Sequence, residues 1–150
     1  MNHNDYKIVD KKIICQGYAK VELYTIQNRL FSGDWSQPYV REISRRLNAV
    51  AALPYDPKSN QVVLIEQFRA GALWQEDKSR SPWLLELVAG VMDKDKENKE
   101  ELIKRELIEE AGLECFGLQH IHTYLASPGG TSEEVTIYCA KVDASKAPKF

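Results

Sequence analysis

The sequence predicts an α+β fold built on mixed β-sheet with one strongly marked helix. Three observations carry that prediction. Short apolar runs bounded by turn residues recur along the chain. One acidic segment has helical spacing and a glycine directly after it. The composition, 43% hydrophobic and 28% charged over 150 residues, is that of a globular protein able to bury a core.

The elements follow in order. YAKVELYTI alternates and is rich in β-forming residues, and YVREIS follows the turn-like SGDWSQP, so strands are expected between Ile13 and Arg46. Residues 1–48 thus read as a β-rich N-terminal segment and 49–150 as the core. AVAALPY (Ala49–Tyr55) and VVLIEQF (Val62–Phe68) are apolar runs joined by DPKSN, most simply as a hairpin. GALWQEDKSRSP reads as a polar loop, and WLLELVAG (Trp83–Gly90) as a strand ending in glycine. The charged MDKDKENKEE leads into a helix expected at Lys99–Ala111, with Gly112 as its stop signal. Leu118–Leu125 and Glu134–Val142 are further strands separated by the loop ASPGGTS. Only DASKAPKF follows, so the second helix that usually covers the sheet of such a mixed fold is expected to be missing from the chain.

A net charge of -2 without a basic stripe gives no expectation of a nucleic-acid partner. No apolar run approaches the roughly 18 residues of a membrane helix, and the N-terminus lacks the apolar core of a secretion signal. Cys15, Cys115 and Cys139 have no C-x-x-C spacing, which argues against disulfide and zinc frameworks and fits a reducing cytoplasm. His120 and His122 alternate, so they should share one strand face without a third metal ligand nearby.

In KRELIEEAGL, at about 100° per residue, Glu106 and Glu110 lie one turn apart with Glu109 beside them. Ile103, Leu107 and Ala111 form the adjacent apolar stripe. Like charges at this spacing repel, and Arg105 can offset part of that through Glu109. By itself such a cluster is either a solvated helix face or a hard-cation site, since carboxylate oxygens suit Mg²⁺ or Mn²⁺.

GVMDKDKENKEELIKRELIEEAGL (Gly90–Leu113) resembles the Nudix box, G-x5-E-x7-R-E-U-x-E-E-x-G-U, where U is aliphatic. Glu97, Arg105, Glu106, Leu107, Glu109, Glu110, Gly112 and Leu113 match; six residues separate Gly90 from Glu97 where the pattern has five, an extra residue expected within DKDK. VVLIEQFRAGA, WLLELVAG and YLASPGGTSEE resemble the ADP-ribose pyrophosphatase branch, in which a proline lies 15 residues beyond the box, as Pro128 lies beyond Leu113. The similarity runs from about Gly17 to Asp143.

The resemblance implies an α/β/α sandwich and Mg²⁺-dependent hydrolysis of ADP-ribose to AMP and ribose 5-phosphate, with Mn²⁺ as a possible substitute. It also implies a homodimer formed through the N-terminal segment, with adenosine in a groove lined by both subunits. Glu106 and Glu110 should be metal ligands, Glu109 a ligand or a support for bound water, and the Ala89 carbonyl a further ligand. Arg105 should orient the glutamates. Arg69 should reach substrate or be a surface arginine at a strand end; Arg41 could reach substrate, though a surface strand arginine is the plainer reading. Glu86 could shape the site or be a buried structural carboxylate, and Pro128, Gly129 and Gly130 should lie near the terminal ribose or form a simple tight turn. Tyr18 could stack on adenine or simply pack. The family's general base, a glutamate on a later loop, and the final strand and helix of its fold are expected beyond Phe150, leaving Glu133 as the candidate base within the chain. Two alternatives stand beside this reading: another nucleoside diphosphate sugar such as GDP-mannose, or a nucleotide-binding domain with little turnover.

Overall fold

A computed structural model describes residues 4–94 and 97–148. Two compact units emerge, Met1–Asn48 with Leu125–Glu134, and Ala49–Tyr124 with Val135–Phe150.

The first unit is a three-stranded antiparallel sheet in the order β1 (Tyr6–Gln16), β2 (Lys20–Asn28), β3 (Tyr39–Arg45). β1 begins at Tyr6 rather than near Ile13. Its charged residues are tolerated because it is an exposed edge strand, and two register shifts, between Ile8 and Asp10 and between Ile13 and Cys15, irregularise that edge. Lys11 is also matched across the sheet: its ammonium lies 3.1 Å from the carboxylate of Glu22. Glu22 is fully buried and also takes Lys20 at 2.7 Å, Arg45 at 3.6 Å and the Tyr24 hydroxyl at 2.5 Å. The loop 125–134 is tied to this unit by backbone: Ser44 N–H donates to Gly130, Ser132 N–H donates to Ser44, and Glu134 N–H donates to the Asn48 side chain.

The second unit is organised by β4 (Ala49–Asp56), which is half-buried or buried along its whole length, as expected of a central strand. It pairs in parallel with β10 (Glu134–Lys141) and antiparallel with both β5 (Gln61–Val62) and β8 (Val88–Val91); β9 (Gly117–Leu125) flanks β10. The β4–β5 turn is the expected hairpin. Asp56 closes it by accepting from Lys58 N–H, Ser59 N–H and the Ser59 hydroxyl, while Asn60 adopts φ 55°.

Two apolar runs each divide between sheets. Val62–Phe68 supplies β5 and then β6 (Ile65–Phe68), because Val63 N–H donates to Pro54 and the chain then leaves the β4 edge. Trp83–Gly90 supplies β7 (Trp83–Glu86), which pairs with β6 in a separate two-stranded ribbon, and β8, which returns to β4. Continuous hydrophobicity does not mark such a change of partner.

Helix α1 spans Lys99–Ala111. The Asn98 side chain accepts from Glu100 and Glu101 N–H, and the Glu101 carboxylate accepts from Asn98 N–H, a complete capping box. At the other end Gly112 takes φ 63°, a left-handed conformation in which other side chains are strained. Leu113 N–H then reaches back to Leu107, and the Leu113 side chain is buried. Leu102, Ile103, Leu107 and Ala111 face Val50, Ala52, Val88, Tyr138, Ala140 and Val142 in the core. The expected stripe is therefore present, widened by Leu102. No helix among the described residues is long and apolar enough to cross a membrane.

Candidate active site

The C-terminal half of α1 packs against the end of β8, and this placement gives the helix carboxylates their surroundings. A Cβ built on Gly90 would lie 2.5 Å from Glu106 Cγ and 2.6 Å from Glu106 Oε1. Only a residue without a side chain leaves Glu106 that space. One helical turn on, Glu110 Oε2 accepts from Ala89 N–H at 3.2 Å, while its Oε1 accepts from the Gln67 amide at 3.1 Å. Glu106 and Glu110 therefore both lie against the Ala89–Gly90 backbone. Glu109 instead turns outward, 56% exposed, and meets Arg105.

Arg105 is the hub of the polar face. Its guanidinium donates to Glu97 at 3.0 and 3.2 Å and to Glu109 at 2.8 Å, and lies 2.8 Å from Glu106. Glu97 thus meets Arg105 despite the extra residue before it; of the DKDK stretch expected to hold that residue, Asp95 and Lys96 lie outside the described residues. The Arg105 guanidinium holds the Glu97 carboxyl below its usual range, and Glu97 in turn raises Arg105. Glu106 moves the other way. Burial raises its pKa first, with Glu110 and Glu109 adding to the rise while Arg105 opposes it.

The β6–β7 ribbon adds a second polar group. Arg69, just past β6, makes a bidentate pair with Glu86 on β7, at 2.6 to 3.1 Å, and this raises the arginine further. Gln67, absent from the sequence-derived set, joins the site through Glu110. Its signal was available: in the run VVLIEQF it is the polar residue that alternates with Val63 and Ile65.

The remaining expected residues lie in the first unit. Arg41, Pro128 and Gly129 line one cavity of about 510 Å³ with Tyr6, Tyr24, Tyr39 and Arg45. Arg41 stacks on the Tyr39 ring at 4.6 Å and donates to its neighbour's carbonyl, that of Val40. Gly130 belongs to the same loop and accepts from Ser44. Glu133 is half-buried, with its N–H on the Thr131 hydroxyl at 3.3 Å. Tyr18 is almost fully exposed, with Arg46 5.7 Å over its ring. In the second unit, His120 and His122 on β9 are exposed and occupied with Tyr138 and Tyr124.

Among the described residues, no three acidic, histidine or cysteine side chains form a ready-made metal cage. The donors at the β8 end are two carboxylates and backbone, all hard oxygen. That set fits a cation such as Mg²⁺, which takes one or two carboxylates and keeps waters for a phosphate ligand.

A mixed sheet carrying a capped acidic helix against the Ala89–Gly90 stretch of β8 places the protein in a known class: a NUDIX domain model matches residues 45–149, and the chain belongs to the Nudix family. It is 43% identical to the ADP-ribose pyrophosphatase of Escherichia coli strain K12 over 144 residues, covering 96% of this chain and 67% of that protein. It is 35% identical to the Haemophilus influenzae ADP-ribose pyrophosphatase over 146 residues, 97% of this chain and 67% of that protein. A more distant relative, the GDP-mannose pyrophosphatase of Yersinia pestis strain Pestoides F, is 32% identical over 87% of this chain and 63% of its own. A crystal structure of an ADP compounds hydrolase has the same fold, with TM-score 0.70 and 21% identity, over 93% of this chain and 69% of that one.

Proposed function

We propose that the protein is a Mg²⁺-dependent hydrolase that cleaves the diphosphate of ADP-ribose to AMP and ribose 5-phosphate. The observation that carries this reading is the gathering of Glu106 and Glu110 against the Ala89–Gly90 backbone. Similarity to ADP-ribose pyrophosphatases over nearly the whole chain supports the substrate.

Glu106, Glu110 and the Ala89 carbonyl would hold the cation, with Glu109 supporting its water shell. When bound, the metal would neutralise the diphosphate oxygens and acidify a water. The chain's residues do the rest. Arg105 keeps adjacent carboxylates compatible with one another and orients them. Arg69, held by Glu86, presents a fixed guanidinium fork suited to phosphate oxygens. Arg41, Pro128 and Gly129 form the substrate-facing part of the first unit's cavity.

The test is release of AMP from ADP-ribose with Mg²⁺, against a Glu110→Gln control; turnover no greater than the control's would sink the enzyme reading. Running GDP-mannose in parallel separates the two nucleotide sugars, a comparison motivated by the Yersinia relative. Glu133→Gln decides whether this chain supplies the base: a loss of about 10²-fold or more in kcat assigns it, and an unchanged kcat removes it.

The same reading makes the protein a cytoplasmic homodimer. Three unpaired cysteines support the compartment, and the exposed Ile8, Val9, Ile13, Ile14 and Val40 of the first unit's sheet support association. A monomer by light scattering at micromolar concentration would remove the dimer.

A further inference from the structure

We infer that Gln67 is a positioning residue that sets the carboxylate of Glu110 for its cation; this rests on the metal reading of Glu110 above. Gln67 alternates with Ile65 on the inward side of β6, and Ile65 packs on the core. Gln67 is half-buried there, and its amide gains by finding a partner. It finds one: its Nε2 donates to Glu110 Oε1 at 3.1 Å, as Ala89 N–H donates to Oε2 at 3.2 Å. Each oxygen of Glu110 is thereby pinned by one N–H. A carboxylate offers about four lone-pair sites, so two directions remain for a cation.

The chemistry of the donor matters. The amide is neutral and orients Glu110 without competing with a metal for its charge. The nearby cation, Arg69, is engaged in a bidentate pair with Glu86, the cross-strand partner of Ile65 on the same ribbon. The ribbon therefore presents Glu110 with a neutral donor while Arg69 is held by its own counter-ion. Donors behind a metal ligand of this kind typically contribute about 10–100-fold in metal affinity.

The experiment is Mn²⁺ binding, without nucleotide, by titration calorimetry on wild type, Glu110→Gln, Gln67→Met and Gln67→Asn, with each variant's Tm measured in EDTA. Methionine keeps length and loses the donor; asparagine keeps the amide but draws it back by one methylene. Both Gln67 variants should bind Mn²⁺ at least about 10-fold more weakly while their metal-free Tm stays at the wild-type value. If Glu110→Gln weakens binding and both Gln67 variants bind as wild type, the positioning role is overturned and the metal reading stands. Variants that lose Tm in EDTA yet keep Mn²⁺ affinity would show a purely structural role and also overturn it. Wild type that fails to bind Mn²⁺ removes the metal reading, and this inference with it.

Discussion

Glu106 occupies the space that a side chain at Gly90 would fill: a Cβ there would stand 2.5 Å from Glu106 Cγ. The obstructed atom lies near the root of the glutamate, so a small swing of the carboxylate cannot relieve the clash. Gly90→Ala should therefore force Glu106 to another rotamer or shift α1 from β8, at about 1–3 kcal/mol. Mn²⁺ affinity should fall with it, which calorimetry and thermal melts measure on the same sample.

Arg105 ties Glu97, Glu106 and Glu109 to one guanidinium. Arg105→Lys keeps the charge but loses the fork, so it should lower both the metal-free Tm and turnover. Glu97→Gln should have the same direction and a smaller effect, since Glu106 and Glu109 still engage the arginine. Circular-dichroism melts in EDTA, paired with AMP-release assays, would check both.

Burial and neighbouring carboxylates raise the Glu106 pKa, so its proton leaves at a pH above the ordinary glutamate value. A metal needs the ionised form, hence Mn²⁺ affinity should begin to fall at a correspondingly higher pH as the solution is acidified. The sign for folding is opposite. A carboxyl whose folded pKa exceeds its unfolded one costs stability when ionised, so Glu106→Gln should leave the metal-free protein as stable or slightly more so at pH 7. Melts across pH 4 to 8 would separate the two effects.

Glu22 behaves as a depressed carboxylate. Lys20 first, then Tyr24 and Lys11, bring its pKa from 4.5 to about 2. Its contribution is present above the unfolded value and is lost as pH falls from about 4.5 through about 2. Acid unfolding followed by the N-terminal tyrosines should show that loss in wild type. It should be absent from Glu22→Gln, which starts less stable at neutral pH.

Arg69 is already paired with Glu86, and a fork held in place acts on phosphate oxygens through geometry. Arg69→Lys should raise KM for ADP-ribose about 10-fold, while leaving Mn²⁺ affinity unchanged. An equal loss of Mn²⁺ affinity would place Arg69 among the supports of the metal instead.

Much of this was legible in the chain. Helix α1, its Gly112 stop, and the spacing of Glu106, Glu109 and Glu110 all depend on contacts within a turn or two, so the order of residues suffices to state them. The central strand β4 and its hairpin were readable for the same reason. Where runs of apolar residues changed partner, as at Val62–Phe68 and Trp83–Gly90, the sequence carried no mark, because hydrophobicity reports burial and not which strand lies alongside.

By itself, then, the sequence determined the helix, its glycine stop, the carboxylate pattern and the family resemblance. Only the tertiary structure decided what each carboxylate meets. Gln67 and Glu110, Arg69 and Glu86, and Gly90 and Glu106 are brought together by sheet register and helix packing. It also decided that Leu125–Glu134 joins Met1–Asn48. Strand alternation tells which face a side chain takes; the partner on that face is chosen by elements far away in the chain, and no local spacing encodes it.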